Sequence, residues 1–258
     1  VSNEVGLYSD PHIYDILHTP GTADEVTGLI GIEADFARAE PRCWLEPACG
    51  TGRYLRVARA RGINCIGFDL SESMIHYARL RAARASSNAT EKYLVASMTD
   101  FAAQVRRRVS FAFNPINTIR HLDSDEAMLA HFEQIAAVLL PGAVYAVGLS
   151  LTGYGLEQPS EDVWEGARGP CRVRQVVQFI PPERGRVERV ISHLCVTTPG
   201  NEEHRTSTYG LRTYSREQFT TLVSRSDLRI IATTDDDGVP IEVPQVGYAI
   251  FILAPIGA

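Results

Sequence analysis

The stretch CWLEPACGTGRYLRVARARG, residues 43–62, constrains the fold most. An apolar run carrying one acid leads into two glycines around a threonine, and apolar residues at helical spacing then continue to Gly62. This order reads as a buried strand, a glycine turn and a helix. A second strand, NCIGFDL, follows, then a helix over ESMIHYARLRAARAS and a short strand at residues 93–96. Strands that alternate with helices are joined by right-handed crossovers and lie in a parallel sheet. VSFAFN supplies the fourth strand and AVYAVGL the fifth. Between them, Asp123 and Glu126 form a capping-box pattern opening a helix whose apolar face holds Met128, Phe132 and Ile135, and Pro141-Gly142 is its stop.

The flanking segments have other rhythms. Residues 1–40 carry apolar residues at helical spacing, interrupted by Pro20-Gly21, and are expected to form two helices before the first strand. Residues 41–150 are the α/β core. In residues 151–214 the segments CRVRQVVQFI, RVERVISHLCVTT and EEHRTSTYGLRTYS are strand-like and separated by PPERG and PGN, which predicts an antiparallel meander inserted on the main sheet. Residues 215–258 then give a helix, the strand LRIIATT, an acidic turn and a last apolar strand.

Composition limits the partners. The formal charge is -6, and the tripeptide Arg106 to Arg108 has no interleaved aromatic residues, so neither nucleic acid nor an anionic membrane is an expected partner. No apolar window is long enough to span a membrane, and the first ten residues lack a signal pattern, so a cytoplasmic location is expected. Cys43, Cys49, Cys65, Cys171 and Cys195 form no CxxC pair and are expected to be free thiols. With no HExxH and no zinc-like His/Cys spacing, no metal is expected.

The glycine turn narrows the ligand. A dinucleotide fingerprint wants a third glycine where Leu55 stands, and a phosphate-binding loop wants a lysine that is absent. Nineteen residues beyond Gly50, at the end of the second strand, Asp69 is placed to accept hydrogen bonds from ribose hydroxyls. LEPACGTGR together with GFDLSESMI resembles the class I S-adenosylmethionine-dependent methyltransferases, and small-molecule N-methyltransferases of glycine and sugar amines among them. The resemblance implies a Rossmann-like, doubly wound seven-stranded sheet whose last strand is antiparallel, with S-adenosyl-L-methionine as cofactor and S-adenosyl-L-homocysteine as product. It places Asp69 on the ribose, Glu46 near the methionyl amine, and Gly50, Thr51 and Gly52 along the cofactor, with Arg53 able to meet the cofactor carboxylate. Leu70, Met74 and Asn114 join the cofactor set. Ala48 stands where the family often has its first glycine, and Ser97 where it commonly has an aspartate facing adenine. Adenine recognition therefore falls to Ser97, to Asp100 or to backbone at Met98 and Thr99.

Methyl transfer from a sulfonium is an in-line displacement, which needs positioning of donor and acceptor more than a covalent nucleophile. His121 is a candidate base for the acceptor, or a residue packed under the next helix. Tyr14, a candidate for both catalysis and cofactor binding, belongs with Tyr8 and His12 to the segment that in the resembling family folds over the cofactor as a lid. By the same resemblance the insertion covers the acceptor or builds a homodimer. Arg212 is a candidate for an acceptor carboxylate, with a surface ion pair as the other reading, and Trp164 for the acceptor pocket. The expected reaction is methylation of a nitrogen or oxygen of a small molecule. Methylation of an RNA base and a non-catalytic cofactor-binding role are the alternatives.

Overall fold

In the computed structural model, residues 7–85 and 92–257 are described. A 3₁₀ turn at Leu7–Ser9 leads into α1 (Pro11–His18) and α2 (Thr22–Phe36), which precede β1 (Cys43–Pro47). The core continues as α3 (Arg53–Ala60), β2 (Asn64–Asp69), α4 (Glu72–Ala85), β3 (Lys92–Val95), α5 (Ala102–Val105), β4 (Val109–Asn114), α6 (Asp125–Val138) and β5 (Leu139–Leu151). Four long strands follow: β6 (Ser160–Arg168), β7 (Cys171–Ile180), β8 (Val187–Thr198) and β9 (Asn201–Arg212). The chain ends with α7 (Arg216–Ser224), β10 (Leu228–Thr234) and β11 (Gly247–Pro255).

The main sheet has the order β10-β11-β5-β4-β1-β2-β3, and β11 runs antiparallel to both of its neighbours. This is the expected seven-stranded, doubly wound arrangement. Strands buried on both faces explain the mostly apolar runs in β1 and β4, every residue of which is buried. One face packs against α5, α6 and α7 through Phe101, Phe132 and Phe219; the other packs against α2, α3 and α4 through Ile32, Leu55 and Ile75. Chain order reverses at β1, which lies between β2 and β4, so a crevice opens beyond the carboxyl ends of β1 and β4.

The structure corrects three local expectations. The cap of α6 is Ser124, whose hydroxyl accepts from the Ala127 N–H, so the helix starts one residue later than a cap at Asp123 would set it. Pro141-Gly142 does not end that helix, which stops at Val138; the pair lies inside β5, where the β4–β5 register shifts and Gly142 takes φ 76°. A bulge accommodates the missing proline N–H. The meander has a fourth strand, β6, and the four strands form a sheet of their own in the order β6-β7-β8-β9. The sequence of β6, SEDVWEGAR, is mostly polar and carries a glycine, so its pairing with β7 overrides a weak local preference. The first six residues of the expected lid, and Ser86 of the expected fourth helix, lie outside the described residues.

Helix α1 joins the two sheets. Ile13, Ile16 and Leu17 pack with Val173, Leu194 and Val196 on the inner face of the four-stranded sheet. At Gly166 a side chain would collide with the Ile16 carbonyl, so glycine is what lets β6 approach the helix backbone. Asp10 caps the start of the helix by accepting from the Ile13 N–H, and Arg205 of β9 pairs with Asp10 at 3.0 Å. At its centre Asp15 is fully buried and meets Arg56 of α3 at 2.6 Å, Arg168 of β6 at 2.7 Å and the Tyr77 hydroxyl of α4 at 3.2 Å.

Burial alone would raise the Asp15 carboxyl, but Arg56 and Arg168 outweigh it and hold the pKa below the ordinary value. The stabilisation is therefore present above the unfolded carboxylate pKa and is lost as pH falls through the lower folded one. Asp15→Ala leaves Arg56, Arg168 and the more distant Arg81 without their buried partner and should cost ~3 to 5 kcal/mol in urea unfolding at pH 7. The deficit relative to wild type should shrink in acid. A loss that stays constant from pH 7 to pH 3 would contradict the role of this charge.

Candidate active site

The turn after β1 is held in left-handed backbone. Ala48, Gly50 and Gly52 have φ of 50°, 51° and 70°. At Ala48 that conformation is strained for a residue with a side chain, which gives a conformational reason for glycine at such a position. The Gly50 N–H donates to Asp69 Oδ2 at 2.8 Å and the Ser71 N–H donates to Oδ1 at 2.9 Å, so two backbone groups fix the carboxylate at the end of β2. Burial raises the Asp69 carboxyl and these hydrogen bonds partly oppose it. The turn after β4 is strained as well: Ile116 and Asn117 have φ of 56° and 61°. The Asn117 side chain accepts from the Ser150 N–H at 2.6 Å and donates to Ser150 Oγ at 2.9 Å, tying this turn to β5.

Two cavities meet in the crevice. The first, about 510 Å³, is lined by Gly50, Asp69, Leu70, Met74, Ser97 and Met98 among others. The second, about 640 Å³, runs from Glu46 and Asn114 to the inner face of the four-stranded sheet. Tyr8, Tyr14, Ala48, Thr118 and His121 border both. At that junction the Tyr8 hydroxyl is 3.4 Å from His121 Nε2, the Tyr8 ring packs on Tyr14 and His121, and Tyr209 of β9 stacks on His121. The surrounding rings, together with Arg120, hold the His121 imidazole below its ordinary pKa. Burial pushes Tyr14 up to about 12, so its hydroxyl keeps its proton at neutral pH.

The remaining candidate residues fall into distinct positions. Glu46 is buried with Oε2 unpartnered among the described residues, and burial pushes its carboxyl well up. Asn114 is fully committed: it donates to the Pro47 carbonyl at 2.7 Å and accepts from Tyr145 at 2.6 Å, and Tyr145 also lies 2.9 Å from His131 Nε2. His131 and Tyr145, which no sequence pattern marked, thereby brace the ends of β1 and β4. Arg53 borders the second cavity but pairs with Glu25, Thr22 and Tyr54. Ser97 Oγ bonds the Thr99 hydroxyl at 2.9 Å and accepts from the Thr99 N–H. Thr51, Gly52 and Thr99 line neither cavity; Gly52 serves the turn, since a side chain there would meet Tyr93 at 2.6 Å. Arg212 also lies outside both, bound to Asp125 at 2.9 Å and to the Asp123 carbonyl at 3.0 Å. Its guanidinium is satisfied on the far side of β9, by the ion pair that is the other reading of this residue. Trp164 does border the second cavity, with Gln175 and Tyr209, two residues the sequence did not single out.

The five cysteines are free thiols in the structure. Across the β8–β9 hairpin, Cys195, Glu202 and His204 bring three ligand atoms within 4.8 Å of one another, a grouping that pairing of the strands creates and linear spacing does not. No helix among the described residues is long and apolar enough to cross a membrane.

Residues 45–142 match the family profile described as a methyltransferase domain. With the seven-stranded sheet and the glycine turn, this match shows that the chain carries a methyltransferase domain of the kind that uses S-adenosylmethionine. Its fold is that of Streptomyces venezuelae DesVI, at TM-score 0.72 and 22% identity over 96% of this chain and 98% of the other. It is similar too to the sugar N-methyltransferase KedS8 from Streptoalloteichus sp ATCC 53650, at TM-score 0.65 and 18% identity over 91% and 87% of the two chains. The SAM-bound amino pentose methyltransferase CalS10 from Micromonospora echinaspora, involved in calicheamicin biosynthesis, gives TM-score 0.66 and 17% identity over 90% and 91%. No curated protein sequence matches the chain.

The site suits this cofactor. Glu46 lacks the partner that an ammonium group supplies, and Asp69 is fixed beside a cavity of nucleoside size. Asp69→Ala should weaken binding of S-adenosylhomocysteine on the order of a hundredfold by calorimetry, because it removes a charged acceptor and frees the Gly50 turn. Unchanged affinity would remove Asp69 from the site.

Proposed function

We propose that the chain methylates an amine nitrogen of a small molecule held in the larger cavity. The observation that carries this reading is the shared wall: the two cavities meet at Tyr8, Tyr14 and His121, where a donor in one would face an acceptor in the other. When bound, the cofactor supplies a methyl group on a sulfonium, open to displacement by a lone pair. Asp69 would hold its ribose, Glu46 its ammonium, and Ser97 and Met98 would line its base.

The choice of nitrogen rests on acidity at the junction. A hydroxyl acceptor must lose a tightly held proton as it reacts, and neither a protonated Tyr14 nor a neutral imidazole is a strong base. An amine needs only to arrive neutral; its nitrogen takes the methyl and becomes an ammonium, and a His121 held in its neutral form can accept the proton that this ammonium releases. KedS8 is a sugar N-methyltransferase and CalS10 acts on an amino pentose, which supports an amine on a small polar scaffold. An RNA acceptor would require a cationic groove, whereas the cavity's two arginines are both ion-paired.

Two measurements test the reading. S-adenosylmethionine at a hundred times its dissociation constant stabilises by ~2.7 kcal/mol, which should raise the melting temperature by roughly 5 to 10 °C; no shift would sink it. For a neutral-base role, the acid limb of kcat/KM should fall below the ordinary imidazole range, since the active form is the deprotonated one. His121→Asn should abolish that limb and lower kcat ~100-fold. A pH profile unchanged in His121→Asn would leave His121 a packing residue.

A further inference from the structure

We infer that Gln175 recognises the part of the acceptor remote from the methylated atom, and that this part is a neutral or cationic hydrogen-bond donor, a hydroxyl or an amine, rather than an anion. The inference rests on the methyl-transfer reading above and adds the chemistry of the cavity's far wall.

Gln175 lies in the middle of β7 on the inner face of the four-stranded sheet, directly opposite Trp164 of β6 and Leu194 of β8. It borders the larger cavity and is 2% exposed. Its Nε2 donates to Ser192 Oγ at 2.7 Å, but Oε1 is buried and has no hydrogen-bond partner among the described residues. A buried acceptor left unpaired is destabilising. The buried Ser192 hydroxyl accounts for the Nε2 side of the amide, while Val177 and Leu194 beside it are buried and apolar and offer Oε1 nothing. The group that would satisfy Oε1 has to come from the cavity.

The charges on the same wall choose the kind of group. Arg53 is neutralised by Glu25, and Arg120 by Glu188 at 2.7 Å with a second bond to the Arg212 carbonyl at 2.8 Å. Asp162, two residues before Trp164 on the same face of β6, borders the cavity at its exposed rim and has no partner among the described residues. The wall therefore offers acceptors and an uncompensated negative charge. A carboxylate or phosphate in that place would meet repulsion and find no free cation, whereas a hydroxyl or ammonium would be matched.

The test has two arms. In the first, the Gln175→Met/Ser192→Ala variant, which removes the amide together with its hydroxyl partner, is unfolded thermally without ligand. A melting temperature equal to wild type or roughly 2 to 6 °C higher is expected, because an unsatisfied buried group has been removed; a lower one would make Gln175 structural and overturn the inference. In the second, Gln175→Met and wild type are assayed with methyl-labelled S-adenosylmethionine on three amines: D-glucosamine, cyclohexylamine, which lacks further donors, and glucosaminic acid, which adds a carboxylate. Wild type should prefer D-glucosamine, and Gln175→Met should raise its KM about tenfold with kcat nearly unchanged. Preference for the acid, or an unaltered KM, would overturn the proposal. If none of the three is methylated, the unfolding arm decides alone. S-adenosylhomocysteine affinity is measured beside both: failure of wild type to bind it would count against methyl transfer itself, while equal affinity in the variants confines any change to the acceptor side.

Discussion

Asp15 is the point at which three separate pieces of the chain are held together. Its carboxylate is fully buried, yet it reaches Arg56 from the helix after the glycine turn, Arg168 from the edge of the four-stranded sheet and Tyr77 from α4. Each partner alone would sit at the surface of its own layer; the shared charge makes them converge on α1. That convergence sets Tyr14, one residue away, against Gly50 and between the two cavities. A buried ion cluster of this kind adds little net stability compared with an apolar core, and its contribution lies in fixing one arrangement. Here the arrangement is the position of a helix with respect to two sheets.

The crevice shows the complementary use of strain. Ala48, Ile116 and Asn117 all carry positive φ, and all three stand on the two turns that leave adjacent strands at the reversal of the sheet. Such conformations persist only where neighbours over-determine them. Asn117 is held by Ser150, and the Ile116 N–H by the Tyr248 hydroxyl, so β5 and β11 brace one turn while Asp69 braces the other. The outcome is a set of backbone groups fixed before any ligand arrives, which is what a displacement reaction governed by positioning requires.

Much of the core was legible from the sequence because its determinants are local. The run from Cys43 to Gly62 carries strand, turn and helix in order, and Asp69 follows from the length of one crossover. The acceptor side was less legible, since its determinants are pairings between distant strands. β6 is polar and has little strand preference of its own, so no periodicity announced it. Gln175 reads as one more polar residue until Trp164 and Leu194 are placed on either side of it. Arg212 shows the same limit from the other direction: its spacing suits a ligand contact, and only the position of Asp125 at the start of α6 reveals that the charge is already met. His131 and Tyr145, sixteen and thirty residues beyond the β4 turn, join it through contacts that no linear pattern contains.

The two sheets have separate interiors: the inner face of the four-stranded sheet packs on α1, while the seven-stranded sheet is filled from its own helices. The smaller cavity is lined mainly from the turns of the larger sheet, and the far wall of the larger cavity is formed by β6, β7 and β9 of the smaller one. Substitutions on β6, β7 and β9 can therefore reshape one bay without disturbing the strained turns that build the other. Such a division lets a lineage of these chains exchange one acceptor for another while the donor's seat stays as it is.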